Sequence, residues 1–328
     1  MQPFSFSQAR SEEEAISLLG QNHARAIAGG TTLVDLMKLD VEAPKHLVDI
    51  NALPLSKIEA LPGGGLRVGA MVRNSDLAYD PVVMKNFPVL SQALLAGASA
   101  QLRNVATTGG NLMQKTRCYY FRDPSYAACN KRKPGSGCAA LDGFNRIHAV
   151  LGGSEHCVAT HPSDMAVALV ALDALVHIRS SRGERTVRIQ DFHKLPGSTP
   201  HLETVVEPGE LVTHVTLPNS PFAAHSAYVK LRDRASYEFA LASAAVALDI
   251  DGGIIREARV ALGGVATKPW RSPEAEQVLT AASADEQTFR AAAEAALGPA
   301  KPLQYNRLKI DLAKMALIRA LRQAAQKE

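Results

Sequence analysis

The chain has 328 residues, of which 46% are hydrophobic and 21% are charged, and its formal net charge is +4. This composition is too apolar for a disordered chain and too interrupted by charge for a membrane protein. The length predicts about two domains, or three small ones, that bury their own cores without a network of disulfide bonds.

Residues 1–52 are predicted to form a small βαβ-like unit. Ser11 and Glu14 have the S-x-x-E spacing of a capping box, in which the hydroxyl accepts from a helix amide and the glutamate reaches back. Gly20 is placed to end this helix. A strand, a glycine turn, a helix and a second strand are then predicted at residues 24–28, 29–32, 33–39 and 46–50.

Residues 53–222 are predicted to form a second α+β unit. It would open with a β-hairpin and two helices, and later continue with a helix capped by Ser163 or Asp164 and three strands. These elements are predicted at residues 57–61, 66–72, 75–79, 88–98, 165–172, 174–179, 186–189 and 211–217. A cysteine-containing window interrupts this regular pattern.

Residues 223–328 are predicted to form a third unit. Two long strands, at 239–250 and 254–262, are joined by the turn-forming sequence Asp251-Gly252-Gly253, and a helix is predicted at 308–325. The pattern indicates a β-meander covered by helices. The whole chain is therefore assigned to the α+β class.

Two glycine pairs are candidate binding loops. The segment 26–33 places Gly29 and Gly30 between a strand and a helix, where backbone amides can hold a pyrophosphate. The segment 107–112 combines a second pair with threonine and asparagine side chains that suit an extended polar ligand. Neither matches the G-x-G-x-x-G fingerprint of dinucleotide-binding folds, and both could be structural turns.

All four cysteines of the chain lie within one window of 40 residues, at positions 118, 129, 138 and 157. Two disulfides, four buried thiols and a four-thiolate metal centre are all compatible with these spacings, which lack the C-x-x-C pattern. The neighbouring Lys131, Arg132 and Lys133 favour the metal centre because they would offset thiolate charge, and amides of the turn 134–137 could bind sulfur. The choice between iron–sulfur and zinc stays open.

Charge and hydropathy exclude several other functions. Between Lys115 and Lys133 there are six basic residues against one acid, so the rest of the chain is close to neutral and nucleic-acid binding is not expected. The N-terminus lacks the features of a secretory signal, and no stretch of about 18 apolar residues predicts membrane insertion. His148, His156 and His161 flank Cys157, but no triad or metalloprotease motif is present.

Together these motifs resemble the FAD-binding subunits of the xanthine dehydrogenase, or molybdenum hydroxylase, family. The resemblance extends from about residue 3 to 320. It is carried by Ala28-Gly29-Gly30-Thr31, Thr108-Gly109-Gly110-Asn111, Pro162-Ser163-Asp164, Lys230 on a later strand, and the segment Leu262-Gly-Gly-Val-Ala-Thr-Lys-Pro-Trp270. The cysteine window is most similar to the flavoprotein subunits of bacterial periplasmic aldehyde oxidoreductases, through the segments 117–121, 129–132, 134–138 and 157–164.

The resemblance implies a two-part FAD-binding domain of the vanillyl-alcohol-oxidase/PCMH type, followed by a C-terminal α+β domain. Thr108, Gly110, Asn111 and the first glycine loop would bind the FAD pyrophosphate. Asp164 would contact ribityl or ribose hydroxyls, and Lys230 would lie near the isoalloxazine ring. The implied FAD contacts are Ala26, Ile27, Ala28, Gly29, Gly30, Thr31, Thr32, Leu33, Thr108, Gly110, Asn111, His161, Ser163, Asp164, Val212 and Lys230.

The resemblance also assigns a metal cluster and partners. The four cysteines would hold a [4Fe–4S] cluster in a loop at about 115–160; their positions match the cluster ligands as Cys118, Cys129, Cys138 and Cys157. A large molybdenum-cofactor subunit and a small [2Fe–2S] subunit would complete a heterotrimer. Electrons would pass from the partner clusters to FAD and an external acceptor, and no residue of this chain would be catalytic.

Several alternatives accompany this interpretation. The chain could be the flavin subunit of a xanthine dehydrogenase or of an enzyme similar to 4-hydroxybenzoyl-CoA reductase, whose flavin subunit also has a cluster-bearing insertion. It could also be a zinc-bearing assembly subunit without flavin, or a self-sufficient flavin oxidase. The resemblance implies a periplasmic location, reached by co-export with a partner that has a twin-arginine signal; the alternative is the cytoplasm.

Overall fold

A computed structural model describes residues 1–220 and 222–326 and confirms the α+β class. The first part of the chain forms a three-stranded parallel sheet in which the third strand lies between the other two. Its elements are β1 (Ser5–Gln8), α1 (Glu12–Leu19), β2 (Ala24–Ile27), α2 (Leu33–Lys38) and β3 (His46–Asp49). The glycine loop between β2 and α2 therefore leaves the carboxyl end of an edge strand of this sheet.

The start of α1 shows how local sequence determines local structure. The Ser11 hydroxyl accepts a hydrogen bond from the amide of Glu14 at 3.1 Å, as the capping-box spacing predicts. The Glu14 carboxylate accepts from the amide of Arg10 at 2.8 Å, one residue before the cap, and not from the amide of Ser11. Gly20 follows the last residue of the helix.

The second part of the chain is built on a five-stranded antiparallel sheet with the order β4-β5-β8-β6-β7. Short helices precede and follow its central strands. The elements are β4 (Ile58–Ala60), β5 (Leu66–Gly69), α3 (Asn74–Tyr79), α4 (Pro81–Asn86), α5 (Pro88–Ala96), α6 (Ala100–Arg103), α7 (Thr108–Leu112), α8 (Tyr119–Arg122), α9 (Asp164–Ala171), β6 (Leu175–Ser180), β7 (Gly183–Arg188), α10 (Ile189–Phe192) and β8 (Leu211–Leu217). Every residue of α9 is buried, and Ser163 is its N-cap.

The third part of the chain is an antiparallel sheet covered by helices, as predicted. Its strand order is β12-β11-β10-β9, and α13 packs on β10 and β9. The elements are β9 (Ser226–Leu231), β10 (Ala242–Asp251), β11 (Ile254–Gly263), β12 (Trp270–Arg271), α11 (Pro273–Leu279), α12 (Glu286–Leu297) and α13 (Leu308–Ala325). Among the described residues, no helix has both the length and the apolar character needed to cross a bilayer.

The segment 113–163, called the cysteine insert below, differs from the rest of the fold. Its regular structure is the single turn α8 and isolated bridges such as that between Cys129 and Cys138. Its small apolar core, which includes Tyr120 and Phe121, also contains Leu36 of α2. The insert therefore depends on individual side-chain contacts for its shape.

Candidate functional site

The first glycine loop, Gly29 to Thr32, presents unused hydrogen-bond donors. Within the described residues, the backbone amides of these four residues have no hydrogen-bond partner, and the Thr32 side chain makes no capping bond to α2. Gly30 has a φ of +68°, a conformation that favours glycine. A row of free amides before a helix suits an anion such as a pyrophosphate.

Gly29 brings the two predicted loops together. A Cβ atom at this position would lie 2.1 Å from the carbonyl oxygen of Val105, so only glycine allows the two backbones to approach this closely. Val105 precedes the second loop by two residues. The close contact therefore fixes the first loop against the start of the second.

The second loop satisfies most of its own donors. The Thr107 hydroxyl caps α7 by accepting from the amide of Gly110 at 3.2 Å. The hydroxyl of Thr108 is buried and donates to the carbonyl of Val72 at 3.1 Å, and the amide of Gly109 donates to Ala70. Thr108 thus fixes the loop to the second sheet; its predicted role as a direct pyrophosphate contact remains a prediction.

Asn111 points its amide oxygen into the protein. This oxygen accepts from the Ser163 hydroxyl at 2.6 Å and from Gln114 at 2.7 Å. The Ser163 hydroxyl in turn accepts from the amide of Ala166 at the start of α9. Within the described residues the Asn111 amide nitrogen makes no hydrogen bond, so it is available to a ligand.

A buried ion pair connects the second and third parts of the chain. Lys230 on β9 lies 2.8 Å from Asp164 on α9, and their side chains are 3% and 7% exposed. Lys230 also donates to the carbonyl of Ala96 at 3.0 Å. This pair places two of the predicted FAD contacts, which are 66 residues apart in sequence, in direct contact.

Tyr228 also belongs to this site, although it is not among the predicted FAD contacts. Its hydroxyl donates to the carboxylate of Asp164, and burial together with that carboxylate raises its pKa well above the usual value. The signal in the sequence is its spacing from Lys230, because residues i and i+2 of a strand point to the same face. Tyr228 therefore helps to hold Asp164 in place.

The remaining predicted FAD contacts have different surroundings. His161 accepts from the amide of Ser163 through Nδ1 at 3.3 Å, and its ring lies 4.3 Å from that of His193. Burial lowers the pKa of His161 well below its usual value. Val212 on β8 lies in the hydrophobic core of the second part, opposite Ile178 on β6. The contacts of His161 and Val212 with FAD therefore stay predictions.

The four cysteines line one small cavity together with aromatic residues of the insert. None forms a disulfide; Cys118, Cys129 and Cys157 are buried and Cys138 is half-buried. Among the described residues, no group of three or more His, Cys, Asp or Glu side chains is close enough for a single metal ion. The thiols nevertheless converge from four separate parts of the insert on the same space.

Burial and the neighbouring donors have opposite effects on the pKa values of the cysteine thiols. Burial raises the pKa of Cys118 to about 12 and that of Cys157 to about 11, so a metal would have to displace a proton from each of these thiols. Backbone amides and Lys131 counter this effect: the amide of Ala159 donates to Cys157 Sγ at 3.5 Å. His148 also places Nε2 at 3.1 Å from Cys118 Sγ. Burial lowers the pKa of His148 to about 4.

The amides that approach the sulfurs differ from those predicted. Amides that follow two of the cysteines, those of Phe121 at Cys118 and Ala140 at Cys138, partly counter the rise in thiol pKa that burial causes. In the turn 134–137, the amide of Gly137 instead donates to Asn130 Oδ1 at 2.9 Å. This turn therefore closes the loop between two cysteines and does not donate to sulfur.

The basic residues of the insert also have more specific partners than predicted. Lys131 and Lys115 both pair with Glu203, and Lys131 Nζ lies 2.7 Å from that carboxylate. Despite burial, these two cations lower the pKa of Glu203 to about 2. Arg132 donates to the carbonyls of three residues, Tyr120, Phe121 and Tyr126. These contacts hold the insert closed, and Lys131 also counters the rise in the pKa of Cys157 that burial causes.

The donor sets fit the two groups that the sequence predicts. The free amides of the first loop and the Asn111 amide suit a phosphate-containing ligand such as FAD. Four thiols with neighbouring amides, and with no carboxylate lining their cavity, suit an iron–sulfur cluster.

Two protein-family models match the chain. One, described as the FAD binding domain in molybdopterin dehydrogenase, matches residues 2–220. The other, described as the CO dehydrogenase flavoprotein C-terminal domain, matches residues 195–324. Together they account for almost the whole chain, and they overlap at β8.

Individual proteins give a similar result. The chain is 51% identical over 326 residues to the FAD-binding subunit of aldehyde oxidoreductase from Escherichia coli strain K12, covering 99% of each. It is 28% identical to a putative xanthine dehydrogenase FAD-binding subunit of the same organism, over 91% of this chain and 86% of that one. Among solved structures, carbon monoxide dehydrogenase from Hydrogenophaga pseudoflava matches with a TM-score of 0.77, 27% identity, and 98% and 97% coverage.

Proposed function

The chain belongs to the FAD-binding medium subunits of the molybdenum hydroxylase family, and on that premise we propose that it is the electron-transfer flavoprotein of a molybdenum-dependent aldehyde oxidoreductase. The observation that carries this proposal is the 51% identity, over 99% of both chains, to an aldehyde oxidoreductase subunit. Identity to the xanthine dehydrogenase subunit is much lower, at 28%. The aldehyde class of substrate is therefore favoured over heterocycles.

FAD is held, in this proposal, by residues from three parts of the chain. The amides of Gly29 to Thr32 bind the pyrophosphate, and Asn111 donates its free amide to the same ligand. Asp164 accepts from ligand hydroxyls while Lys230 balances its charge. When bound, FAD supplies a carrier that takes electrons singly from an iron–sulfur cluster and passes on one or two.

A [4Fe–4S] cluster is the second cofactor of this proposal. This part rests on the four thiols of this chain and not on the family. Their convergence on one cavity, the amides that approach them and the nearby Lys131 together support an anionic four-thiolate centre. Cys118, Cys129, Cys138 and Cys157 would each supply one sulfur ligand.

Partner subunits complete the proposed enzyme. A large subunit with the molybdenum cofactor oxidises the aldehyde, and a small [2Fe–2S] subunit delivers the electrons to this chain. This chain then passes them to an external acceptor. In this proposal, its own residues bind and orient the cofactors and exchange no proton with the aldehyde.

We further propose a periplasmic location, reached by co-export of the folded chain with a partner that has a twin-arginine signal. The test is fractionation of cells that express the complex with and without the partner's signal. The proposal expects this chain in the periplasmic fraction only when the signal is present. Its presence in the cytoplasm alone, with the signal intact, would contradict it.

Analysis of the purified complex tests the cofactor proposal. We expect releasable FAD, and iron and acid-labile sulfide in excess of the content of the small subunit. Zinc without additional iron or sulfide would support the assembly-subunit alternative and overturn the cluster. Aldehyde turnover by the isolated chain would instead support a self-sufficient oxidase.

Gly29→Ala tests the flavin loop directly. The added Cβ would meet the Val105 carbonyl at 2.1 Å, so the loop must move and we expect at least a ten-fold loss of FAD affinity. Gly20→Ala is the matched control, because its Cβ would have ordinary contacts, the nearest at 3.4 Å. Equal FAD content in both variants would remove this loop from the flavin site.

A further inference from the structure

Cys129 and Cys138 lie directly opposite each other in the cysteine insert, where they form an isolated antiparallel bridge. The two backbone hydrogen bonds that flank this bridge join the neighbours of the cysteines: the Asn130 amide donates to the Gly137 carbonyl at 2.8 Å, and the Ala139 amide donates to the Ala128 carbonyl at 2.9 Å. This pattern makes the two cysteines a non-hydrogen-bonded pair, in which opposite side chains come closest together.

The spacing of this pair suits a disulfide bond. Opposite residues of a non-hydrogen-bonded antiparallel pair have Cα atoms about 4.5 Å apart. Disulfide bonds join residues whose Cα atoms are roughly 4.4 to 6.8 Å apart. Cys129 and Cys138 also line the same small cavity. A bond between their sulfurs therefore requires little movement of the backbone.

The other two cysteines have different surroundings. Cys157 is bridged to Ser154, and Cys118 is the N-cap of α8. Within the described residues, no other bridge or strand pairing places two cysteines opposite each other. Cys138 is also half-buried, whereas the other three cysteines are buried. It is therefore the thiol that a reagent in solution reaches first.

Contacts that involve no sulfur hold the insert in this register. Between the two cysteines, Arg132 donates to the carbonyl of Phe121 at 2.8 Å. Lys309, at the start of α13, is fully buried and donates to the carbonyls of Ile147 and His148 at 2.8 and 2.9 Å. These hydrogen bonds do not depend on a metal ligand, so they keep the two thiols opposed before a cluster is bound.

We propose that Cys129 and Cys138 form a reversible disulfide in chains that have not received a cluster, with a low-molecular-weight disulfide such as oxidised glutathione as the oxidant. The consequence for cluster loading rests on the proposed function. The bond removes two of the four sulfur ligands, so the oxidised chain takes up no [4Fe–4S] cluster until it is reduced. Because disulfides form in oxidising compartments such as the periplasm, the cluster must be inserted before export.

The reaction is a two-step thiol–disulfide exchange. The Cys138 thiolate attacks one sulfur of oxidised glutathione, which forms a mixed disulfide and releases the first glutathione. The Cys129 thiolate then attacks the Cys138 sulfur, which forms the new S–S bond and releases the second glutathione. Two thiols of the chain are oxidised and one disulfide is reduced, and the two thiol protons end on the two glutathione molecules.

The experiment uses the full chain, freed of metal with a chelator under reducing conditions. It is incubated with oxidised glutathione at about pH 8.5, where more of each thiol is ionised. Free thiols are then counted after denaturation. Trypsin cleaves after Lys131 and Arg132, between the two cysteines, so the disulfide joins two peptides that reduction separates. Mass spectrometry under non-reducing conditions identifies this linked pair.

Cys138→Ser and Cys118→Ser are the matched variants, because each replaces one thiol of the same cavity by a hydroxyl. We expect wild type to retain two of its four thiols and to yield the linked peptides. Cys118→Ser should yield the same linked peptides, and Cys138→Ser should yield none. Four free thiols in oxidised wild type, or a disulfide that joins other cysteines, would overturn the proposal.

Uptake of iron and sulfide, measured before and after oxidation, tests the loading step. We expect the oxidised chain to take up at least about ten-fold less iron, because two ligands are lost, and dithiothreitol to restore the uptake. Unchanged uptake by a chain that carries the disulfide would overturn the loading step and the ligand assignment. If the reduced chain takes up no iron, the proposed function fails, while the thiol count still decides whether the disulfide forms.

Discussion

The first glycine loop and the cysteine insert reach their shapes in different ways. The loop lies between a strand and a helix, and its conformation is fixed by backbone features such as the positive φ of Gly30 and the close approach of Gly29 to Val105. The insert has almost no regular structure and is held by cations that donate to carbonyls and carboxylates. The glycine loop is therefore fixed by its backbone conformation, and the cysteine insert is fixed by contacts of charged side chains.

The two sites also differ in what a ligand must overcome when it binds. In the absence of a ligand, the backbone amides of the loop have no partner within the protein and can hydrogen-bond water. The insert instead buries thiols whose raised pKa values must be overcome before a metal is bound. We therefore expect the two sites to fail independently, and the following changes test that expectation.

Cys129→Ser should have the largest effect. Removing one of four thiolates should eliminate the iron and sulfide that this chain contributes, while FAD remains bound at the wild-type level. Metal and flavin analysis of the purified complex measures both. Ala128→Ser is the matched control, because it places the same hydroxyl beside the cavity without removing a ligand. Unchanged iron in Cys129→Ser would refute the ligand assignment.

Lys230→Met should have the next largest effect, and on the flavin side. It leaves the buried carboxylate of Asp164 without its cation, a change that typically costs 3–5 kcal/mol of folding free energy. We expect FAD to be lost and the additional iron to be kept. Thermal unfolding and cofactor analysis measure the two results.

The double variant Lys230→Met/Asp164→Asn separates charge from packing. It removes both charges and keeps an oxygen that can accept from Tyr228, so most of the lost stability should return. Stability as low as that of Lys230→Met alone would show that the ion pair is not the cause. Loss of iron together with FAD in either variant would break the expected independence of the two sites.

Glu203→Gln should have a smaller effect that depends on pH. Lys115 and Lys131 hold the pKa of Glu203 at about 2, below its ordinary value of 4.5. Because the folded-state pKa is depressed, this group stabilises the fold above pH 4.5, and the contribution is lost as pH falls toward 2. At about 1.4 kcal/mol per pKa unit, it amounts to at most about 3.5 kcal/mol.

Denaturant unfolding of wild type and Glu203→Gln between pH 7 and pH 3 measures this contribution. The difference in unfolding free energy should be constant at neutral pH and should shrink below pH 4.5. Glu207→Gln is the control: this exposed carboxylate pairs with an exposed arginine, and such pairs contribute less than about 1 kcal/mol. A pH-independent difference for Glu203→Gln would exclude the ion-pair explanation.

Much of the fold could be predicted from local patterns. The bounds of α13 agree with the predicted helix because eighteen residues of helical periodicity leave little ambiguity. The short helices α4 and α6 were not predicted, since each contains only one or two turns and no full hydrophobic period. Ser163, the N-cap of α9, is predictable as a candidate cap because a cap is a local feature.

The sequence predicts which residues belong to the candidate sites, but it does not predict which of these residues contact each other. Asp164 and Lys230 were both named as FAD contacts, yet nothing local indicates that they form an ion pair across 66 residues. Lys131 was expected to neutralise thiolates, but its main partner, Glu203, lies 72 residues away. Such pairings depend on how sheets and loops come together, and a single sequence does not encode this in its periodicity.

The position of Lys309 has a consequence for the biosynthesis of this protein. Its ammonium group satisfies carbonyls that lie 161 and 162 residues earlier in the chain. During translation, the loop around His148 therefore leaves the ribosome long before its partner is synthesised. The backbone around His148 gains these hydrogen bonds only after α13 has emerged. If the proposed cluster is present, its insertion should therefore follow completion of the polypeptide, and truncation before Lys309 should yield chains that bind iron poorly.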